Sequence, residues 1–312
     1  MSLKKTYRIL TAGYFGEAFQ QFITTQYPEL SCFYASNKTE ALDLLPTVDA
    51  IAGFNFLPET NLNHIKWIHS FGAGVDAFMQ HKIADDVLFT KTAGNMGSRM
   101  AEYCLGHILN ELQSIKYFEK LQIESKWKQA DTAELSSKTL YLLGTGNMGQ
   151  AIAKKFNPLV KEVIGINTRG DLSAAFSRVI TIEKFNKIED NGAILISTLP
   201  ATEHTFQIIN AEMFENKHAL TFLNIGRGSS LNNTDLLEAI QKKSVKKAIL
   251  DVFSEEPLPK ESPFWENTAI TITPHISGLT KFQDVTDSFE MVYMAIKNSE
   301  PIPYQVNLAK GY

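Results

Sequence analysis

Short apolar runs alternate along the chain with stretches whose apolar residues recur at three- and four-residue spacing. The runs read as strands buried on both faces, and the stretches between them as amphipathic helices. On this pattern strands are expected at residues 7–11, 31–34, 50–53, 67–70 and 87–90, with a helix over residues 16–26. A long helix is expected from Met100 to Leu121. Six more strands should follow at 139–143, 162–167, 193–198, 220–225, 247–252 and 269–273. After Gly278 another amphipathic helix runs to about Asn298, and the last residues return to the first domain. Strands alternating with helices predict an α/β protein. The second set of strands fits a doubly wound parallel sheet with ligand at its carboxyl ends. No internal repeat or low-complexity tract interrupts the pattern, and the long helix marks the crossover between sheets.

Composition narrows the function classes. At 312 residues the chain is long for one core, so two domains are expected. A net charge of −4 offers no basic excess for a phosphate backbone, which argues against nucleic acid as a partner. Lys242, Lys243, Lys246 and Lys247 read as a solvated helix end. With two cysteines, Cys32 and Cys104, a disulfide scaffold is excluded and a reducing compartment fits. The first ten residues hold no signal-peptide core, and no run approaches the ~20 apolar residues of a membrane span. A cytoplasmic protein is expected. His64, His69 and His81 lack paired-ligand spacing, so no metal site is expected. Met96, Met100, Phe118 and Trp127 read as core or crossover packing.

The candidate chemistry begins after the 139–143 strand, where Leu142-Leu143-Gly144-Thr145-Gly146-Asn147-Met148-Gly149 contains G-x-G-x-x-G. The hexapeptide alone is weak evidence. Here it closes an apolar strand and opens a helix, which is the context a dinucleotide requires. Gly144 suits the tight turn, Gly146 a close approach of pyrophosphate, and Gly149 helix–strand packing. The helix start then offers free N–H groups to phosphate. At the end of the next strand an acidic residue would hold the ribose 2′-hydroxyl of NAD. The chain instead reads Asn167-Thr168-Arg169. Asn167 does not repel a 2′-phosphate, Thr168 can donate a hydrogen bond and Arg169 carries a cationic fork. NADP(H) is therefore the expected cofactor, with NAD(H) still usable.

With these motifs the chain resembles the D-isomer-specific 2-hydroxyacid dehydrogenases, and among them the glyoxylate/hydroxypyruvate reductase branch. The resemblance runs through Ser70-Phe71-Gly72-Ala73-Gly74-Val75-Asp76, Met100-Ala101-Glu102-Tyr103, the glycine motif, and Ser197-Thr198-Leu199-Pro200. It continues through Asn224-Ile225-Gly226-Arg227-Gly228, Leu250 to Pro257, and Thr273-Pro274-His275-Ile276-Ser277. It implies a Rossmann dinucleotide domain, residues 99–280, inserted in a flavodoxin-like substrate domain of residues 1–98 plus 281–312. It further implies Arg227 as the catalytic arginine, Glu256 as the acid partner and His275 as the proton donor. Ala73 and Gly74 would meet the substrate carboxylate, together with Arg227. Leu199, Pro200, Ile225 and Asp251 would border the cofactor. The main departure is Asn167, where NAD-linked members carry aspartate.

Reduction of a 2-oxo acid needs a hydride at the carbonyl carbon and a proton at its oxygen. Histidine is the side chain suited to donating that proton near neutral pH, and a neighbouring carboxylate favours the charged imidazole. Arginine can hold a carboxylate and polarise a carbonyl together. A relative acting on D-lactate, phosphoglycerate or a bulkier acid is the alternative within the family. A non-catalytic dinucleotide sensor is the alternative outside it. The long helix and the apolar surface expected beside it point to a two-fold homodimer.

Overall fold

A computed structural model describes residues 6–171 and 174–308. Residues 1–5, which belong to the signal-peptide reading, fall outside this range. The chain divides into two compact units: Met1–Asn95 with Thr280–Tyr312, and Met96–Leu279. The first unit is thus built from both chain ends. The division falls where helix Met96–Leu112 begins, a turn earlier than apolar spacing suggests.

In the first unit the order is β1 (Arg8–Ala12), α1 (Gly16–Gln26), β2 (Ser31–Ala35), α2 (Lys38–Leu44), β3 (Ala50–Gly53), β4 (Trp67–Ser70) and β5 (Leu88–Lys91). The strands pair in parallel in the order β2-β1-β3-β4-β5, the flavodoxin-like winding. Alternate residues serve opposite faces. Ile9 packs with Phe19 and Ile23 of α1 and with Val285, Phe289 and Val292 of the C-terminal helix Phe282–Asn298. Leu10 packs on the other face with Ala41, Ile51 and Phe89.

The second unit opens with α3 (Met96–Leu112) and α4 (Ile115–Ile123). The single helix expected over 100–121 is broken, because Ser114 takes a left-handed conformation (φ 54°) between them. Trp127, expected in a core, is 100% exposed. Its neighbours Ser125, Lys126, Lys128 and Gln129 are polar, so no apolar face draws it inward.

There follow β6 (Thr139–Leu143), α5 (Asn147–Phe156), β7 (Glu162–Asn167), β8 (Arg178–Thr181), α6 (Ile182–Asn186) and the two-residue β9 (Asp190–Asn191). Then come β10 (Ile194–Ser197), α7 (Ala211–Glu215), β11 (Lys217–His218), β12 (Leu220–Asn224), α8 (Asn233–Gln241), β13 (Val245–Leu250) and β14 (Ile270–Ile272). The C-terminal helix is α9. Seven of these strands form one parallel sheet ordered β14-β13-β12-β10-β6-β7-β8, a Rossmann-type winding. Sequence reading missed β8, an edge strand with only Ile180 buried. Lys247 also departs from expectation. It lies in β13, buried, with Nζ donating to the Thr268 carbonyl at 3.3 Å and 3.8 Å from the Glu111 carboxylate. Cys32 and Cys104 are both free thiols, and burial pushes Cys32 up to about 12. Among the described residues no helix is long and apolar enough to cross a membrane.

Candidate active site

The strand order reverses between β6 and β10, and the glycine motif sits on the loop leaving β6 at that point. Its three glycines do different work. Gly144 has φ 105°, a conformation side chains avoid, and a Cβ there would lie 2.6 Å from Thr198 Oγ1. A Cβ on Gly149 would collide with the Gly144 carbonyl oxygen, so α5 could not pack on its strand. A Cβ on Gly146 would meet nothing within 4 Å. Packing therefore does not explain Gly146, whose backbone is left open to the close approach of a ligand. Gly146 is also the N-cap of α5 and supplies no side chain to its first-turn amides. Uncapped donors at a helix start, with the positive end of the dipole behind them, fit a pyrophosphate. Asn147 is exposed at the helix start, and Met148 packs half-buried against the core on the α3 side.

Beyond β7, Asn167 is engaged on both ends of its amide. Nδ2 donates to Thr145 Oγ1 at 3.0 Å and to the Asp171 carbonyl at 3.2 Å, while Oδ1 accepts from the Arg169 and Gly170 amides. Asn167 thus ties the β7 loop to the glycine loop. The side chains left exposed on this loop are Thr168, Arg169 and Asp171. The Arg169 side chain is 81% exposed, with Nε 2.6 Å from Asp171 Oδ2.

Arg227, Glu256 and His275 follow β12, β13 and β14, three neighbouring strands, at the same carboxyl edge as the glycine motif. The Arg227 loop is fixed through its backbone: Asn224 Nδ2 and Ser230 Oγ both donate to the Arg227 carbonyl, at 3.2 and 2.7 Å. Cβ atoms on the flanking Gly226 and Gly228 would strike the backbones of Leu199 and Phe253. Only glycine lets these loops nest, so Arg227 emerges from a crowded, defined base. Glu256 Oε1 accepts from the Phe253 amide at 2.8 Å, and Oε2 lies 2.9 Å from His275 Nδ1. A carboxylate only accepts, so Nδ1 is the donor and Nε2 is the nitrogen left for proton exchange. His275 sits at φ 55°, a left-handed backbone held by its amide bonding the Asp251 carbonyl at 2.8 Å.

A buried relay holds this loop. Asp251 is 0% exposed. Its Oδ1 accepts from Thr273 Oγ1 at 2.6 Å and the Ile276 amide at 2.8 Å, and its Oδ2 from the Ser277 amide at 2.8 Å. Thr273 donates to Asp251, so Tyr103 Oη at 2.6 Å donates to Thr273. Burial first, and the Asp251 charge after it, push the Tyr103 phenol up, which keeps it a donor. Asp251 was expected beside the cofactor; the structure encloses it and turns its carboxylate to the loop bearing His275. Ile225 is likewise buried in the core on the α3 side, leaving only its backbone to border a ligand. Leu199 and Pro200 are half-buried on the loop after β10, with the Pro200 carbonyl held by Thr205 Oγ1 at 2.7 Å. Sequence reading missed Thr273 and Tyr103 as positioning residues, although Tyr103 stands three residues after Met100 on α3. Among the described residues no group of three or more His, Cys, Asp or Glu could hold a metal.

In the first unit the loop after β4 carries Ala73 and Gly74. Ser70 Oγ donates to the Gly72 carbonyl and accepts from the Gly72 amide, shaping the turn. Among the described residues the Ala73 and Gly74 amides meet no protein acceptor. Two adjacent unpaired N–H groups can receive an anion.

A dinucleotide turn at the switch point of a wound parallel sheet, with an arginine and a Glu–His pair on neighbouring loops, defines a nicotinamide-type dehydrogenase. The profile described as D-isomer specific 2-hydroxyacid dehydrogenase, NAD binding domain, matches residues 105–277. The chain belongs to this family, oxidoreductases that use a nicotinamide dinucleotide on a CH–OH group. It is 29% identical over 267 residues to glyoxylate/hydroxypyruvate reductase A of Serratia proteamaculans, covering 81% of this chain and 83% of that one. A solved family member from Aeromonas salmonicida superposes with a TM-score of 0.83 at 26% identity, covering 96% of this chain and 99% of that one. The NADPH-dependent glyoxylate/hydroxypyruvate reductase of Sinorhizobium meliloti, solved with NADP and sulfate, shares the fold. Its TM-score is 0.83 at 23% identity, covering 99% and 100% of the two chains.

Proposed function

We propose that the protein reduces small 2-oxo acids of the glyoxylate/hydroxypyruvate kind to 2-hydroxy acids, with NADPH as the preferred cofactor. The observation that carries the reading is the 2.9 Å Glu256–His275 pair on the sheet edge that also bears the glycine motif. The names of the relatives support the substrate kind, and the exposed Arg169 in place of an acidic ribose reader supports NADPH. We assign the dinucleotide to the second unit and the substrate carboxylate to the Ala73 and Gly74 amides of the first. Gly144, Gly146, Asn147 and Gly149 would hold the pyrophosphate, and Thr168 and Arg169 the 2′-phosphate. Leu199 and Pro200 would border the nicotinamide. We further propose a cytoplasmic homodimer.

The cofactor, when bound, supplies the hydride. His275 Nε2 gives its proton to the carbonyl oxygen, while Glu256 orients the ring through Nδ1. Arg227 holds the carboxylate and draws charge toward the carbonyl oxygen, a contact that strengthens as negative charge develops there. The test follows NADPH absorbance at 340 nm with a panel of 2-oxo acids, for the native enzyme and His275→Ala. The variant should bind NADPH with native affinity and lose ~100-fold or more in kcat, the scale of a positioned proton donor. A variant as active as the native enzyme, or a native enzyme inactive on every acid, refutes the proposal.

A further inference from the structure

We propose that the carboxyl edge of the first unit's sheet forms an aromatic wall that selects 2-oxo acids with a flat, apolar side chain. This rests on the reading that the protein is a 2-oxo acid reductase whose Ala73 and Gly74 amides receive the substrate carboxylate, and it moves the best substrate from the small acids to a bulkier member of the same class. The loops leaving β1, β3 and β4 read Gly13-Tyr14-Phe15, Phe54-Asn55-Phe56-Leu57 and Phe71-Gly72-Ala73-Gly74-Val75. These first residues of the three loops hold five aromatic residues and no charged one, charged residues such as Glu59, Asp76 and Lys82 coming farther along.

The rings stack outward from the core. Phe71 is fully buried, and Phe54 stands edge-on to it at 5.9 Å. Phe15 and Tyr14 each lie 6.4 Å from Phe54, and Tyr14 leans on Phe15 at 4.2 Å. Tyr14 ends the series 72% exposed, and among the described residues its hydroxyl has no hydrogen-bond partner. The wall stands against the anion-binding turn, because a Cβ on Gly72 would lie 3.6 Å from the Phe54 ring. A substrate held by the next two amides would therefore lay its side chain toward Phe54 and Tyr14.

The wall is also fixed in place. Asn55 Nδ2 donates to the Ala77 carbonyl at 2.8 Å, which ties the β3 loop to the chain just past the amide turn. His81 Nδ1 accepts from the Thr60 amide, so its Nε2 carries the proton and donates to Asn55 Oδ1 at 2.9 Å. Phe15 is backed by Phe282 at 5.5 Å. A fixed aromatic surface ending in the exposed Tyr14, beside unpaired amides, matches an acid with an apolar tail, and no cation stands among the wall residues themselves to favour a phosphorylated tail.

The test compares kcat/KM for glyoxylate, phenylpyruvate and 3-phosphohydroxypyruvate with NADPH, in the native enzyme, Tyr14→Ala and Tyr14→Phe. Phenylpyruvate should exceed glyoxylate by about tenfold, the scale of a modest apolar contact, and the phosphorylated acid should be poorest. Tyr14→Ala should cut the phenylpyruvate-to-glyoxylate ratio about tenfold, and Tyr14→Phe should restore it. Tyr14 is exposed, so neither change disturbs the core, and unfolding midpoints should match. A native ratio at or below one, or a ratio unmoved in Tyr14→Ala, overturns the wall while leaving the reductase reading standing. Failure to turn over any 2-oxo acid removes both.

Discussion

Replacing Asp251 by asparagine keeps the side chain's size and one acceptor, so it tests what the buried carboxylate does. If the amide oxygen keeps Thr273 and Ile276, its NH2 faces the Ser277 N–H across 2.8 Å. Turned over, it faces the Ile276 N–H instead and removes the acceptor for Thr273. Either way one backbone donor is stranded where exposure is 0%, at a cost of ~1–3 kcal/mol. The surviving bonds also lose charge assistance, roughly 1 kcal/mol each. Relief from carrying a charge into the interior offsets part of this, leaving a net destabilisation of about 2 kcal/mol. The strain falls on residues 273–277, so His275 should be displaced and kcat should fall between ~10- and 100-fold, as small misplacements do. Urea unfolding, steady-state kinetics with a 2-oxo acid and fluorescence titration of NADPH measure the three quantities. NADPH affinity should stay within about threefold, since the glycine loop is untouched. A tenfold loss of NADPH affinity with stability and kcat intact would refute the reasoning, because the carboxylate would then serve the nucleotide directly.

Arg169→Ala should raise KM for NADPH about tenfold and KM for NADH far less, the scale of one exposed charge-assisted contact; equal changes with both cofactors would remove the 2′-phosphate assignment. Gly146→Ala should unfold at the native midpoint, since its Cβ has open space, yet bind NADPH at least tenfold more weakly; Gly149→Ala should lose both stability and binding, and circular dichroism with titration separates the two cases. His69 is fully buried, and burial pushes its imidazole down to about 3 from 6.5. Its folded value is depressed, so between those limits the unfolded chain takes up a proton that the native chain does not. Stability should therefore fall by up to about 1.4 kcal/mol per pH unit as pH drops below about 6.5. Urea midpoints from pH 7 to 4.5 should show a shallower slope in His69→Gln, and identical slopes would reject the assignment.

Strand positions were legible because both sheets are buried on two faces. Runs such as Leu140-Tyr141-Leu142-Leu143 cannot be anything but interior, and β3, β4, β6 and β7 stand at the expected residues. The misses share a cause. Edge strand β8 buries one residue, so its sequence carries little apolar signal. The break at Ser114 interrupts a helix whose apolar spacing continues beyond it, and periodicity does not register a single left-handed residue. Trp127 was assigned by residue type against a polar context. The roles proposed for Arg227, Glu256 and His275 rest on the family resemblance rather than on their own sequence surroundings, since each alone is a common loop residue.

Less legible was the direction in which a polar residue at a strand's carboxyl end points. Asn167 closes β7 and Asp251 follows β13, so both stand where sequence places ligand-reading residues. Both turn back into the protein. Asn167 takes four hydrogen bonds within its own loop and the glycine turn, and the Asp251 side chain takes three from the loop after β14. The physical reason is common to the two sites. Loops that project functional groups from a sheet edge leave backbone amides without partners, and a short amide or carboxylate side chain at the root of the same or the neighbouring loop is the nearest acceptor. Arg169, farther along the β7 loop, and His275, on the β14 loop that Asp251 clamps, are left at least partly exposed. Substitutions at Asn167 and Asp251 should accordingly act on both stability and activity through the loops they clamp. Substitutions at Arg169 and His275 should change binding or chemistry and leave the unfolding midpoint where it was.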